Sequence, residues 1–247
     1  MTAPLFLMPP GTLDGLGPGA VVAVDGAEAR HAGGSLRLHA GEHAYLADGC
    51  GTRALVELLG VARDRVHTRI VTVDVEPEPN PAFVLVQALA KGGRDESAVE
   101  TATELGVDVI VPWQAARSVV QWRGDRVARG RARWSAVAAA AAKQSRRFRV
   151  PPVLAPVGRE GVVSLLADAT LGLVLDEGAG MPLADVPLPD AGRVVVVVGP
   201  EGGIGEGELA AFEAAGGLPV RLGREVLRTS SAGPAALAVL SAAGRWR

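Results

Sequence analysis

Two short segments near the carboxyl end hold the residue types best suited to act on a bound molecule. The first is Gly199-Pro200-Glu201-Gly202-Gly203; the second is Leu222-Gly223-Arg224-Glu225-Val226-Leu227-Arg228. Glycines let backbone approach a ligand closely and adopt dihedrals closed to other residues. Glu201 is an ionisable carboxylate, and Arg228 carries a permanent charge on a planar guanidinium. Bonds that merely fix the loops are the competing reading for both side chains. The elements around them are legible. Five valines, 194–198, form a run rich in β-branching and too short for a membrane span, as expected of a buried parallel strand. A helix is expected over 206–215, a second strand over 218–222 and a closing helix over 231–243. Strand-loop-helix junctions at the carboxyl edge of a sheet are where α/β proteins hold ligands. The two loops therefore predict one ligand between two backbone walls.

Two common phosphate-binding ligand classes can be set aside. A P-loop needs Gly-Lys-Ser/Thr at its end, and here Gly205 precedes Glu206. The dinucleotide fingerprint opens the first helix of its domain, whereas this loop lies in the last quarter of the chain. Glu201, Glu206 and Glu208 surround the helix start with negative charge, which opposes a phosphate and suits a cationic ligand or none. The sulfonium of S-adenosylmethionine is such a cation. A tight turn with no ligand is the alternative.

Composition narrows the class further. The chain has 247 residues, 48% of them hydrophobic, enough for one large domain or two small ones with a proper core. A single cysteine, Cys50, excludes an internal disulfide, and the four histidines (His31, His39, His43, His67) lack metal-ligand spacing, so no metal is expected. The first residues lack a signal-peptide pattern and no window of about 18 apolar residues is free of charges, so a cytoplasmic location and no membrane partner are expected. The net charge of −2 hides an asymmetry: residues 117–149 carry +9 and the remainder −11. A basic stretch on an acidic body fits a polyanion partner, with a solvated helix face as the plain alternative. Trp122, Trp134 and Phe148 lie within it, either to stack on bases or to fill a core.

Alternating prolines in Glu76-Pro77-Glu78-Pro79-Asn80-Pro81 predict a linker. Before it, strands over 20–24, His43–Ala47, 53–59 and 66–73, with turns at Asp25-Gly26 and Asp48-Gly49, suggest a small β-barrel. After it, strands over 83–89, 109–111 and Leu171–Leu175 alternate with helices from Asp95 or Ser97 to Leu105, over 131–145 and over 164–167. That alternation predicts an α/β domain with a parallel sheet covered on both faces.

These motifs resemble, in order and over nearly the whole chain, the 16S rRNA (uracil-N3)-methyltransferase family, RsmE, of the knotted SPOUT superfamily. The resemblance rests on Gly-Pro-Glu-Gly-Gly after the valine strand, and on Leu222-Gly223-Arg224-x-Val226-Leu227-Arg228-Thr229. It also rests on Thr103-Glu104-Leu105-Gly106-Val107, Ile110-x-Pro112, Arg117-Ser118, Arg133-Trp134, and Ala142-Lys143-Gln144-Ser145-x-Arg147 with Pro151. Leu36-Arg37-Leu38, Gly41 and Asp48-Gly49 add to it near the amino end. Ser230-Ser231-Ala232 stands where the family often has Glu-Thr-Ala, and His31-Ala32-Gly33-Gly34 is less hydrophobic than the family's segment.

The resemblance implies a PUA-like RNA-binding barrel over residues 1–75, a linker over 76–81 and a trefoil-knot methyltransferase domain over 82–247. It implies that S-adenosylmethionine lies among Leu175, Asp176, Glu177, Gly199, Pro200, Glu201, Gly202, Gly203, Leu222, Gly223, Val226, Leu227, Arg228, Ser231 and Ala232. Arg228 and Glu201 are the implied catalytic pair for methylation of N3 of a uridine in 16S rRNA of the small ribosomal subunit. Arg30, Arg37, Arg117, Arg133, Lys143, Gln144, Arg146 and Arg147 are the implied RNA contacts. A homodimer is implied as well, with the alanine-rich stretches 137–142 and 235–243 as candidate interface. A knotted methyltransferase acting on ribose 2′-O, or a non-catalytic RNA-binding assembly protein, are the alternatives.

Overall fold

The computed structural model describes residues 3–246; the outer limits of the two expected domains, residues 1 and 247, lie outside them. Two compact units emerge: Met1–Glu78 with Ala142–Val150, and Pro79–Ala141 with Pro151–Arg247.

The first unit contains β1 (Leu5–Leu7), β2 (Val21–Asp25), α1 (Gly26–Arg30), a π-helical turn at His31–Ser35, β3 (His43–Ala47), β4 (Thr52–Val61) and β5 (Arg65–Val75). The sheet order is β1-β3-β4-β5-β2, so β1 and β2 are edges and the sheet is open. Only the β1–β3 pair is parallel. Period-two alternation sends Val66, Thr68 and Ile70 of β5 inward and Arg65, His67 and Arg69 to solvent. Phe6, Leu13, Val24, Leu46, Val56 and Leu58 complete the core. Asp25-Gly26, expected as a turn, instead starts α1, with Asp25 as its N-cap. Residues 142–150 belong here because the backbone N–H of Val150 donates to the Gly49 carbonyl at 2.9 Å and the Arg53 guanidinium lies 3.9 Å over the Phe148 ring.

The second unit contains β6 (Ala82–Ala88), α2 (Arg94–Glu104), β7 (Val109–Trp113), most of α3 (Asp125–Gln144), α4 (Arg159–Ala167), β8 (Leu171–Leu175), a 3-10 turn at Leu183–Asp185, β9 (Arg193–Val198), α5 (Glu206–Ala214), β10 (Gly217–Val220) and α6 (Thr229–Ala243). All five strands are parallel, in the order β10-β8-β9-β6-β7. Val194 and Val196 join a core with Trp134 and Leu237, and Val195 and Val197 join a second core with Val162 and Phe212. Both faces are covered, which is why β9 is a run of valines rather than an alternation.

The structure revises several expectations. α3 begins at Asp125, six residues before the expected start, and α4 at Arg159 rather than 164. β7 runs through Pro112 to Trp113, while β10 stops at Val220, two residues short of the expected end. Trp134 is 1% exposed and Trp122 8%, with ring centroids 5.3 Å apart in an edge-to-face pair. They are core residues, so neither is free to stack on bases. No helix among the described residues is long and apolar enough to cross a membrane.

Candidate active site

The site forms at the carboxyl edge of the parallel sheet, where β9 and β6 lie side by side but continue in opposite directions along the sheet order. The loop after β9 closes on itself through the Gly203 N–H, which donates to the Pro200 carbonyl at 2.9 Å. Gly203 has φ +72°, a left-handed conformation, and a Cβ on Gly199 would lie 2.8 Å from Ile204 Cγ1. These two positions require glycine. Gly223 does not: its φ is not positive, and a Cβ there would meet only a Glu225 carboxylate oxygen at 3.6 Å, an ordinary contact.

The second wall is tied down by Arg221. Its N–H donates to the Met181 carbonyl at 2.9 Å, its guanidinium donates to the carbonyls of Ala179 and Gly180, and the Leu183 N–H donates to the Arg221 carbonyl at 2.8 Å. The Asp176 N–H donates to the Val220 carbonyl at 3.0 Å, so the segment after β8 follows the end of β10. Arg228 then provides the first carbonyl of α6, accepting from the N–H groups of Ser231 and Ala232 at 2.8 and 3.0 Å.

Between these walls lies a pocket of about 660 Å³. The structure brings to it every residue of the expected cofactor set except Ser231, which points to solvent from the first turn of α6. Sequence reading missed Arg94, Arg221 and Thr229 as lining residues, and Arg117, expected as an RNA contact, also lines this pocket. Arg117 donates to the Gly202 carbonyl at 3.2 Å. Its loop is held by Glu208, a buried carboxylate that accepts from the N–H groups of Ala116 at 2.8 Å and Gly205 at 3.1 Å.

Electrostatics corrects one argument and sharpens another. Glu208 spends its charge on backbone donors, and Glu206 does not line the pocket. The acidic helix start is therefore not offered to a ligand. Asp176, Glu177, Glu201 and Glu225 face Arg94, Arg117, Arg221 and Arg228, so the lining has no net charge. Glu201 accepts from the Lys91 N–H and from the Arg94 guanidinium, each at 3.2 Å. Partial burial pushes its carboxyl upward, but its own N–H, the Lys91 N–H and Arg94 outweigh that and hold it below the usual glutamate value. Arg228 is exposed, and its side chain has no hydrogen-bond or ion-pair partner among the described residues.

The expected RNA contacts are scattered. Arg30, Arg37 and Arg146 are exposed in the first unit, without side-chain partners among the described residues. Gln144 is exposed there too, Arg147 is half-buried, and Lys143 is paired with Glu28. In the second unit Arg133 is paired with Glu96 at 2.8 Å. Among the described residues no group of three His, Cys, Asp or Glu side chains could hold a metal ion.

Comparison with known proteins accords with this arrangement. Residues 76–241 match the family model of an RNA methyltransferase domain. The chain is 43% identical over 235 residues to ribosomal RNA small subunit methyltransferase E of Mycobacterium bovis, covering 92% of this chain and 89% of that protein. A ribosomal RNA small subunit methyltransferase E from Neisseria gonorrhoeae, solved bound to S-adenosyl methionine, superposes with a TM-score of 0.86 at 31% identity over 98% of each chain. A Legionella pneumophila methyltransferase in complex with the same cofactor gives 0.85 at 29% identity over 98% of each chain.

Proposed function

Because the chain belongs to the ribosomal RNA small subunit methyltransferase E family, we propose that it transfers a methyl group from S-adenosylmethionine to N3 of one uridine in 16S rRNA. The observation that carries this is the pocket itself: two backbone-rich walls with the unpartnered Arg228 guanidinium at the lining. Its volume of about 660 Å³ falls within the roughly 300–1,000 Å³ typical of small-molecule sites. The residues fit the cofactor. Gly199, Gly202 and Gly203 leave backbone uncovered along one wall, while Leu222, Val226 and Leu227 offer apolar surface for adenine.

When bound, S-adenosylmethionine supplies an electrophilic methyl group on a cationic sulfur. The protein must supply the rest. N3 of uracil bears a proton and lies on the Watson–Crick edge, so the base is extruded before reaction. As that proton leaves, negative charge spreads onto O2 and O4, and Arg228 is placed to donate to one of them. Glu201 is a weak base, held ionised by Lys91 and Arg94. Its role is to fix the loop, and the proton passes to water.

The finer architecture belongs to the same reading. The second unit is a trefoil knot in which the chain after β10 passes behind residues 176–183; the ties of Arg221 to that segment support this. The first unit is a PUA-like module whose free arginines hold phosphates. The enzyme acts as a cytoplasmic homodimer.

Calorimetry with S-adenosylmethionine, followed by transfer of its labelled methyl group to small-subunit particles lacking the mark, tests the reading. Micromolar binding with one methyl incorporated per particle is expected. Binding without transfer would point to an assembly factor, and absence of both would remove the proposal.

A further inference from the structure

Gln87 is the one polar residue within the strand Ala82–Ala88, and its side chain is fully buried. A carboxamide in such a place is costly unless its hydrogen bonds are made. It pairs in register with Val198, the last residue of β9, so it sits directly below the loop that begins at Gly199. Its Nε2 donates to Thr229 Oγ1 at 3.0 Å and to the Ala88 carbonyl at 3.2 Å. The Thr229 hydroxyl, also buried, donates onward to the Gly199 carbonyl at 2.8 Å. The result is a directed chain from amide to hydroxyl to carbonyl. It joins β6, the first turn of α6 and the start of the loop over 199–203.

Two details show that this contact is built. Gly233 lets α6 lie against the sheet here: a Cβ on it would stand 3.0 Å from Leu85 Cδ1 and 3.4 Å from Gln87 Oε1. Gln87 Oε1 is itself buried, with no hydrogen-bond partner among the described residues. An aliphatic side chain would fill the position without stranding an oxygen, so stability alone does not account for glutamine.

We propose that Gln87 and Thr229 are positioning residues whose relay sets the distance between the two pocket walls, 199–203 and 222–228. Thr229 is the hinge of the pair, since it follows Arg228 directly and its hydroxyl holds the opposite wall. The consequence for catalysis rests on the reading that this pocket holds S-adenosylmethionine.

Amide hydrogen exchange of the unliganded protein tests the relay, and calorimetry with S-adenosylmethionine tests its consequence. Thr229→Val and Gln87→Met keep the volume and break the chain. Each is expected to speed exchange at residues 202–204 and 222–227 and to weaken cofactor affinity about tenfold. Thr229→Ser should recover most of both losses. The double variant should be no worse than the worse single one, because one relay is broken in either case. Should Thr229→Val not fold, Gln87→Met measured beside Thr229→Ser decides by the same two readouts. A lower melting temperature with exchange in both loops at the wild-type rate would overturn the relay. If the wild-type protein itself fails to bind the cofactor, the pocket assignment falls, while the exchange rates still decide the relay.

Discussion

Arg228 and Glu201 line the same pocket with opposite commitments: one guanidinium is free and the other residue's carboxylate is engaged. The difference makes separable predictions. Arg228→Ala should lower the methyl-transfer rate about 10²–10³-fold, as loss of one oxyanion-type donor does, with cofactor affinity unchanged; steady-state assays and calorimetry measure the two. Glu201 should behave as a structural acid. Its carboxyl is held below the ordinary value of 4.5, so its loop-fixing contribution is present above that value and lost as pH falls through the lowered one. Cofactor affinity should thus show no Glu201-dependent change between about pH 6 and 8 and should decline only in stronger acid. In Glu201→Gln that acid decline should vanish, at a cost at neutral pH below about 1 kcal/mol, since the ion pair with Arg94 is half-exposed. A midpoint near neutrality that Glu201→Gln removes would restore Glu201 as the proton acceptor. The glycine loop and Arg228 were legible in the sequence because their types are unusual after a strand. Arg94, Arg117, Thr229 and Gln87 were not, because only the packing of distant segments brings them to this edge.

At the scale of elements, α3 shows where sequence reading stops. Gly130 breaks the arginine- and alanine-rich pattern, and helix propensity alone would favour alanine there by about 1 kcal/mol. In the folded protein a Cβ on Gly130 would lie 2.4 Å from the Trp122 ring. Gly130→Ala should therefore destabilise the protein, by about 1–3 kcal/mol, despite its gain in propensity; chemical denaturation gives the sign directly. The same packing explains the tryptophans. Trp122 and Trp134 were ambiguous because they sit among arginines in sequence, yet each turns inward against the other. The parallel strands were legible from their continuous apolar runs. β1 was missed: three residues, Leu5–Leu7, are too few to show a period. The association of residues 142–150 with the first unit was invisible for another reason, since backbone bonds such as Val150 to Gly49 leave no mark on residue type.

For the whole molecule, the charge asymmetry of the sequence survives in a changed form. Within the basic run 117–149, Arg117 lines the pocket, Arg133 and Lys143 are paired, and Arg123, Arg126, Arg129 and Arg146 are exposed without side-chain partners among the described residues. Arg30, Arg37 and Arg146 are exposed cations of the first unit, without side-chain partners among the described residues, that should meet RNA phosphates. Replacing all three by alanine should reduce the slope of log affinity against log salt by about 2, the expectation for three lost contacts to single-stranded RNA. Cofactor affinity should stay at its wild-type value; an unchanged slope would place the RNA elsewhere. The succession of strands and helices along the chain is largely legible from composition and periodicity, but the sheet order β10-β8-β9-β6-β7 is not, because pairing between distant strands leaves no mark on residue type. On this reading the pocket presents a methyl donor to the Watson–Crick edge of an extruded uracil. The most direct test is mass-spectrometric mapping of the methyl group placed on small-subunit particles that lack it. A single mark on N3 of one uridine is the predicted result, and a mark on a ribose 2′-oxygen would contradict it.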